Sequence, residues 1–180
     1  MENFKKIFFV FILFFLAFSA KSYAEIVNRV EVKGNERITL ETIVIFGDIT
    51  IGKNYESSDI TLLIKKLYET NYFSNISIEL RDGRLNIIVK ENPIINSLVL
   101  KGEKAEKYKT IITETLILRE KTSFLENYIK SDINLIKTFY RQLGFYFVKI
   151  DLDVEKLKRN RVNLIYSIDK GEKADRKSVV

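Results

Sequence analysis

The stretch Leu67-Tyr68-Glu69-Thr70-Asn71-Tyr72-Phe73, continued by Ser74 to Leu80, Arg81-Asp82-Gly83-Arg84 and Leu85 to Val89, decides the fold. Its first part ends a helix, because Asn71 tolerates the left-handed backbone that closes a helix C-terminus. Ile76, Ile78 and Leu80 then alternate with Ser77, Glu79 and Arg81. That period of two marks a strand with one buried face. Asp82-Gly83 is a two-residue hairpin signal, since both positions accept positive φ. Leu85, Ile87 and Val89 alternate in the returning strand, with Ile88 the apolar exception on its outer face. A helix, an abrupt stop and a β-hairpin result.

Upstream, Ile26 to Gly34 is expected to form a strand, with Ile26, Val30 and Val32 on one side and Gly34-Asn35 as the turn. Thr39 is placed to cap a short helix carrying Leu40, Ile43 and Val44 and closed by Gly47. A connector with Gly52 leads to a second helix near Ser57. Its residues Ile60, Leu63, Ile64, Leu67 and Tyr68 share one face at helical spacing. The unit is thus β-α-α-β-β, and its two amphipathic helices must cover one face of a three-stranded sheet. So small a unit buries little of its surface and is marginally stable alone.

The plan recurs. Asn92-Pro93 ends the first unit, and Leu98 and Leu100 alternate into Lys101-Gly102, as Val30 and Val32 run into Lys33-Gly34. A longer helix should carry Tyr108, Ile111, Ile112, Thr115 and Leu116 on one face. The next places Ile129, Ile133, Ile136, Tyr140 and Leu143 together and stops at Gly144, the counterpart of Asn71. Val148, Ile150, Leu152 and Val154, then Val162, Leu164, Tyr166 and Ile168, form the second hairpin. The repeat of about 70 residues signals an array of units. The aromatics at the helix stops, Tyr72-Phe73 and Phe145-Tyr146, are expected as core plugs.

The composition narrows the function. Of 180 residues, 46% are hydrophobic and 30% charged, and there is neither cysteine nor histidine. Disulfides, thiolate metal sites and the commonest general base are therefore missing, so no enzyme, no metal and no cofactor is expected. Met1 to Ala24 reads as a secretory signal peptide: Lys5 and Lys6, an apolar run from Ile7 to Phe18, then Ser22-Tyr23-Ala24 as the cleavage site. The apolar run is shorter than the ~20 residues of a membrane span. The formal net charge of +6 is spread among acids except at Lys156-Leu157-Lys158-Arg159-Asn160-Arg161, which reads as a solvated hairpin loop. Nucleic-acid binding is not expected, since no basic face is concentrated enough.

Three groups of residues carry a family resemblance. They are Val30-x-Val32-x-Gly34-Asn35 with Arg37-Ile38; the junction Leu67-Tyr68-x-Thr70-Asn71-Tyr72-Phe73-x-x-Ile76; and the join Val89-Lys90-Glu91-Asn92-Pro93-Ile94-Ile95. Phe139-Tyr140-x-x-Leu143-Gly144-Phe145-Tyr146 repeats the second group. Over residues 26 to 173 the chain resembles the POTRA (polypeptide-transport-associated) region of the BamA family, the assembly factors for outer-membrane β-barrels. Asn71 and Glu103 depart from the family's usual glycine and asparagine. The resemblance implies an α+β fold of two tandem POTRA domains, each β-α-α-β-β with a three-stranded mixed sheet under two helices. Residues 25–92 and 93–170 are the expected domains. Residues 171–180 read as a truncated link into a missing third domain, ending in an artefactual tail.

The resemblance also implies a place on the periplasmic face of the outer membrane, within the BAM complex. The expected partners are unfolded β-barrel precursors, accessory lipoproteins, and the outer membrane itself through a C-terminal barrel missing here. Related carriers, a two-partner secretion transporter or a translocation-and-assembly module, are the alternative. The family's strand order would leave the second strand of each unit at a sheet edge, open to an extended client. The candidate peptide-binding residues are therefore Asn75, Ile76, Ser77, Ile78 and Glu79, with Lys149, Ile150, Asp151, Leu152 and Asp153. Proline at Ser77 or Asp151 is the natural first test.

Overall fold

The Asp82-Gly83 turn and its counterpart set the architecture. Asp82 (φ 52°) and Gly83 (φ 72°) both take positive φ, which gives a two-residue loop the twist of its flanking strands. The computed structural model describes residues 24–174; the expected signal peptide (through Tyr23) and residues 175–180 lie outside the described residues. The first unit comprises β1 (Glu25–Ile26), β2 (Arg29–Lys33), α1 (Leu40–Gly47), β3 (Asn54–Tyr55), α2 (Ser57–Glu69), β4 (Phe73–Arg81) and β5 (Arg84–Glu91). The second comprises β6 (Ile94–Lys101), α3 (Glu106–Thr115), a 3-10 turn (Glu126–Tyr128), α4 (Ile129–Gln142), β7 (Lys149–Leu157) and β8 (Arg161–Asp169).

Each unit holds a mixed three-stranded sheet, in the orders β2-β5-β4 and β6-β8-β7. The outer pairings are parallel (β2 with β5, β6 with β8) and the hairpins antiparallel. Two separate cores result. Val27, Ile43, Leu63, Leu67, Phe73, Leu85 and Ile87 centre the first, and Ile95, Ile112, Leu116, Ile136, Tyr140, Leu164 and Tyr166 the second.

Gly34 (φ 82°) and Gly102 (φ 95°) occupy matching positions. A Cβ on either would run into the carbonyl oxygen of the central strand, that of Val89 or of Ile168. Only glycine lets the first strand's exit lie so close to the sheet.

Several local expectations change. The first strand is broken: β1 pairs antiparallel with β3, and only β2 joins the main sheet. The Val27 N–H donates to the Lys53 carbonyl at 3.0 Å and its carbonyl accepts from Gly52 N–H at 2.7 Å. Val27 is consequently buried while Ile26 is 51% exposed, reversing the expected facing of Ile26. The connector competes for these backbone groups, and alternation alone cannot show that.

The helix α1 ends one residue later than expected, with Asp48 (φ 53°) as its left-handed cap. Gly47 lies buried within the helix, where a Cβ would press on the Ile49 side chain. In α3 only Ile112 is fully buried, and Ile111 and Thr115 face solvent. The apolar contacts they were assigned come from Leu116 and Leu118 beyond the helix. Of the aromatics at the helix stops, Phe73 is the one full plug. Tyr72 stacks on Phe46 at 5.6 Å, Phe145 is half-buried, and Tyr146 is exposed beside Phe147.

Candidate functional site

All ten candidate peptide-binding residues lie on sheet edges: Asn75 to Glu79 on β4, Lys149 to Asp153 on β7. They divide by parity, however. In an antiparallel ladder, alternate residues exchange both backbone hydrogen bonds with the partner strand, and the intervening ones turn theirs outward. The two-residue turn makes Arg81 and Arg84 a bonded pair, so Glu79–Asn86 and Ser77–Ile88 are bonded as well. The outward N–H and C=O groups on β4 therefore belong to Ile76, Ile78 and Leu80.

For β7 the same conclusion follows from the central strand. The Asn160 carbonyl accepts from Ile94 N–H at 3.0 Å, which points the even-numbered residues of β8 toward β6. The odd residues of β8 bond Lys149, Asp151, Asp153, Glu155 and Leu157. Ile150, Leu152, Val154 and Lys156 then carry the open groups. Asn75, Ser77 and Glu79, like Lys149, Asp151 and Asp153, direct their backbone groups into the ladder; only their side chains are available to a client. Ser77 and Asp151 are thus the wrong places for proline, which would break the hairpin itself.

The two edges differ. Ile76 N–H, an outward donor of β4, donates to the Tyr68 hydroxyl at 3.1 Å. The β4 ladder is occupied at that step, whereas β7 has four outward-facing residues in succession. The helical spacing of Tyr68 placed it on the core face, but it is 41% exposed and spans from α2 to the edge.

Three buried carboxylates hold the loops beside these sheets, and no local sequence pattern marks any of them as an anchor. Glu91, at the end of β5, accepts from the N–H groups of Glu36, Arg37 and Ile38 at 2.8, 2.9 and 3.0 Å. Its other oxygen lies 3.0 Å from Arg37 Nε, as an ion pair without hydrogen-bond alignment. Burial pushes this carboxyl up, but the three N–H groups and the guanidinium outweigh it and hold the value below the ordinary range.

In the second unit the polarity is reversed. The acid is Glu103, just after Gly102, and the cation is Lys170, just after β8, with 2.8 Å between them. The Tyr140 hydroxyl donates to the same carboxylate at 2.6 Å, and Lys104 and Ala105 N–H groups add two more bonds at 2.8 Å. Burial opposes ionisation here too. Lys170, Tyr140 and the Ala105 N–H overcome it and bring Glu103 to about 2. Burial, then Glu103, raises the Tyr140 hydroxyl well above its usual value. Asp132 at the start of α4 accepts from Ile117 and Leu118 N–H at 2.8 and 3.0 Å and faces the Tyr166 hydroxyl at 3.3 Å. The Tyr166 hydroxyl is raised by burial and then by Asp132.

The basic segment Lys156 to Arg161 is more than a solvated loop. Lys158 and Arg159 are exposed, but Asn160 (φ 48°) reaches the link between the units. Its carbonyl takes Ile94 N–H, and its Nδ2 donates to the Glu91 carbonyl at 3.1 Å. Asn92 Nδ2 donates to the Asn71 carbonyl at 2.9 Å, and Arg37 Nη2 to the Asn92 carbonyl at 2.8 Å. The linker is therefore bracketed from both sides.

Comparison with known proteins agrees with this architecture. Residues 93–171 match the POTRA family, described as surface antigen variable number repeat. The chain is 29% identical over 150 residues to the outer membrane protein assembly factor BamA of Neisseria meningitidis, covering 82% of this chain and 19% of that protein. It is 24% identical over 155 residues to BamA of Neorickettsia risticii, covering 86% and 20%. The chain thus spans about a fifth of the length of the curated relatives it matches. Among solved structures, the N-terminal domain of Omp85 from Thermosynechococcus elongatus superposes with a TM-score of 0.54 at 14% identity, covering 84% of this chain and 65% of that one.

Proposed function

We propose that the chain serves outer-membrane protein assembly as a periplasmic binding module, not a catalyst: residues 93–171 match the POTRA family, and the preceding unit repeats the same sheet architecture. Its clients are extended segments of unfolded β-barrel precursors, which add a strand to an open sheet edge. Within a BAM complex it also faces accessory lipoproteins. The boundaries 25–92 and 93–170 delimit its two units, and an exported, signal-bearing precursor belongs to the same reading.

One observation carries the proposal: β7 ends its sheet, and Ile150, Leu152, Val154 and Lys156 turn their backbone groups away from β8. Main-chain recognition suits clients that share no sequence. A few backbone bonds at a net ~0.5–1.5 kcal/mol each, less the ordering cost, give weak and reversible capture.

The test is proline at Leu152, where the ring removes an outward N–H and spares the ladder. Leu152→Ala controls for lost packing and Asp151→Pro for a broken hairpin. Binding of a urea-diluted barrel precursor, followed by fluorescence anisotropy, should weaken about fivefold in Leu152→Pro relative to Leu152→Ala, the equivalent of ~1 kcal/mol. Circular dichroism should show Leu152→Pro folded and Asp151→Pro disrupted. Equal binding by a folded Leu152→Pro and by Leu152→Ala ends the edge mechanism at β7.

A further inference from the structure

Both open edges reach a single cleft between the units, of about 880 Å³, a size typical of ligand-holding clefts. The end of β7 enters it through Val154, Lys156 and Leu157, and the start of β4 through Phe73 and Ser74. Its apolar lining comes from Tyr68, Leu125 and Ile129, so both units contribute. Lys90, Lys156 and Arg161 also line it, against one carboxylate, Glu126. Neither Lys90 nor Lys156 is in a salt bridge among the described residues. Arg161 Nη1 donates to the Asn96 side-chain oxygen at 3.1 Å, which leaves its charge uncompensated.

We infer that this cleft is the specificity site of the β7 edge: a client strand paired with β7 carries an apolar side chain and a neighbouring carboxylate into it. The inference rests on the edge-pairing reading and adds a sequence preference to it. Backbone bonds along Ile150 to Lys156 are indifferent to side chains. Any strand continuing past Lys156 meets the half-exposed Tyr68 ring and a cationic rim. Aromatic and aliphatic walls favour an apolar residue, and three cations against one acid favour an anionic one. An acidic-apolar segment is thereby drawn in, and a lysine-rich one is kept at the outer part of the edge.

The experiment uses the whole chain and fluorescent peptides of about ten residues, alternating valine and threonine to favour an extended strand. Phe-Glu or Phe-Lys is placed at one end or the other, since the sense of pairing decides which end reaches the cleft. One Phe-Glu peptide should bind about fivefold tighter than its Phe-Lys counterpart, as expected for a partly exposed charge pair. In the double variant Lys90→Glu, Lys156→Glu that preference should invert.

If all peptides bind alike and remain sensitive to Leu152→Pro, the cleft inference is overturned while edge pairing stands. If none binds, both fail. Anionic phosphatidylglycerol vesicles are the further arm. Vesicle binding that needs Lys90 and Lys156, alongside peptides indifferent to charge, would overturn the inference in favour of a lipid surface.

Discussion

Glu103 stands where the family resemblance expects asparagine, yet it anchors the second unit. Its partners Tyr140 and Lys170 lie 37 and 67 positions away, so no local pattern announces it. Asn71 and Asp82-Gly83, by contrast, were legible, because positive φ is a demand the residue itself must meet: Asn71 adopts φ 60°. The folded Glu103 value of about 2 lies below its ordinary 4.5. Protonation therefore favours unfolding, and the stability this group supplies is complete above pH 4.5 and lost as pH falls toward 2. That loss is on the order of 3 kcal/mol at most. Urea unfolding across this window should show a steeper acid decline in the native chain than in Glu103→Gln, which starts less stable at neutral pH. Gly34→Ala and Gly102→Ala should each cost roughly 2 kcal/mol or more, since both add a left-handed alanine and a clash with a central-strand carbonyl. Thermal melts would register that as a lowered Tm.

At the level of strands and helices, amphipathic spacing identified α2, α4 and both hairpins, because burial on one face repeats at a fixed period. It failed where backbone groups had competing partners. The segment 25–33 divides between β3 and β5, and α3 hands its packing to Leu116 and Leu118. Edge position followed from the strand order. Which edge residues are open did not, because it depends on the parity of a ladder that side-chain alternation does not report. The difference between β4 and β7 gives a further prediction. Tyr68→Phe removes the hydroxyl that occupies Ile76 N–H, and so frees one step of the β4 ladder. Affinity for extended peptides at β4 should rise about two- to tenfold, measured in a Leu152→Pro background that silences β7. No increase would show that β4 takes no clients.

For the whole molecule, the repeat of Lys33-Gly34 as Lys101-Gly102 disclosed two units, but the bracket between them was hidden in a segment that read only as a charged loop. Asn160→Gly keeps the left-handed turn and the carbonyl bond to Ile94, and loses only the bond to Glu91. The units should then tumble more independently while each stays folded, seen as shorter NMR rotational correlation times with unchanged chemical shifts in the cores. The reversed polarity of Glu91–Arg37 and Glu103–Lys170 bears on how such neighbours assemble at all. Adjacent look-alike sequences risk exchanging segments during folding. Were the loop of the first copy to settle on the last strand of the second, Arg37 would confront Lys170. The reciprocal error would bury Glu103 against Glu91, and each mismatch strands like charges away from water. The reversed polarity thus disfavours exchange of segments between the two copies. Recoding the second copy to the first copy's polarity should increase the fraction of misassembled product after refolding from urea, resolved by native electrophoresis.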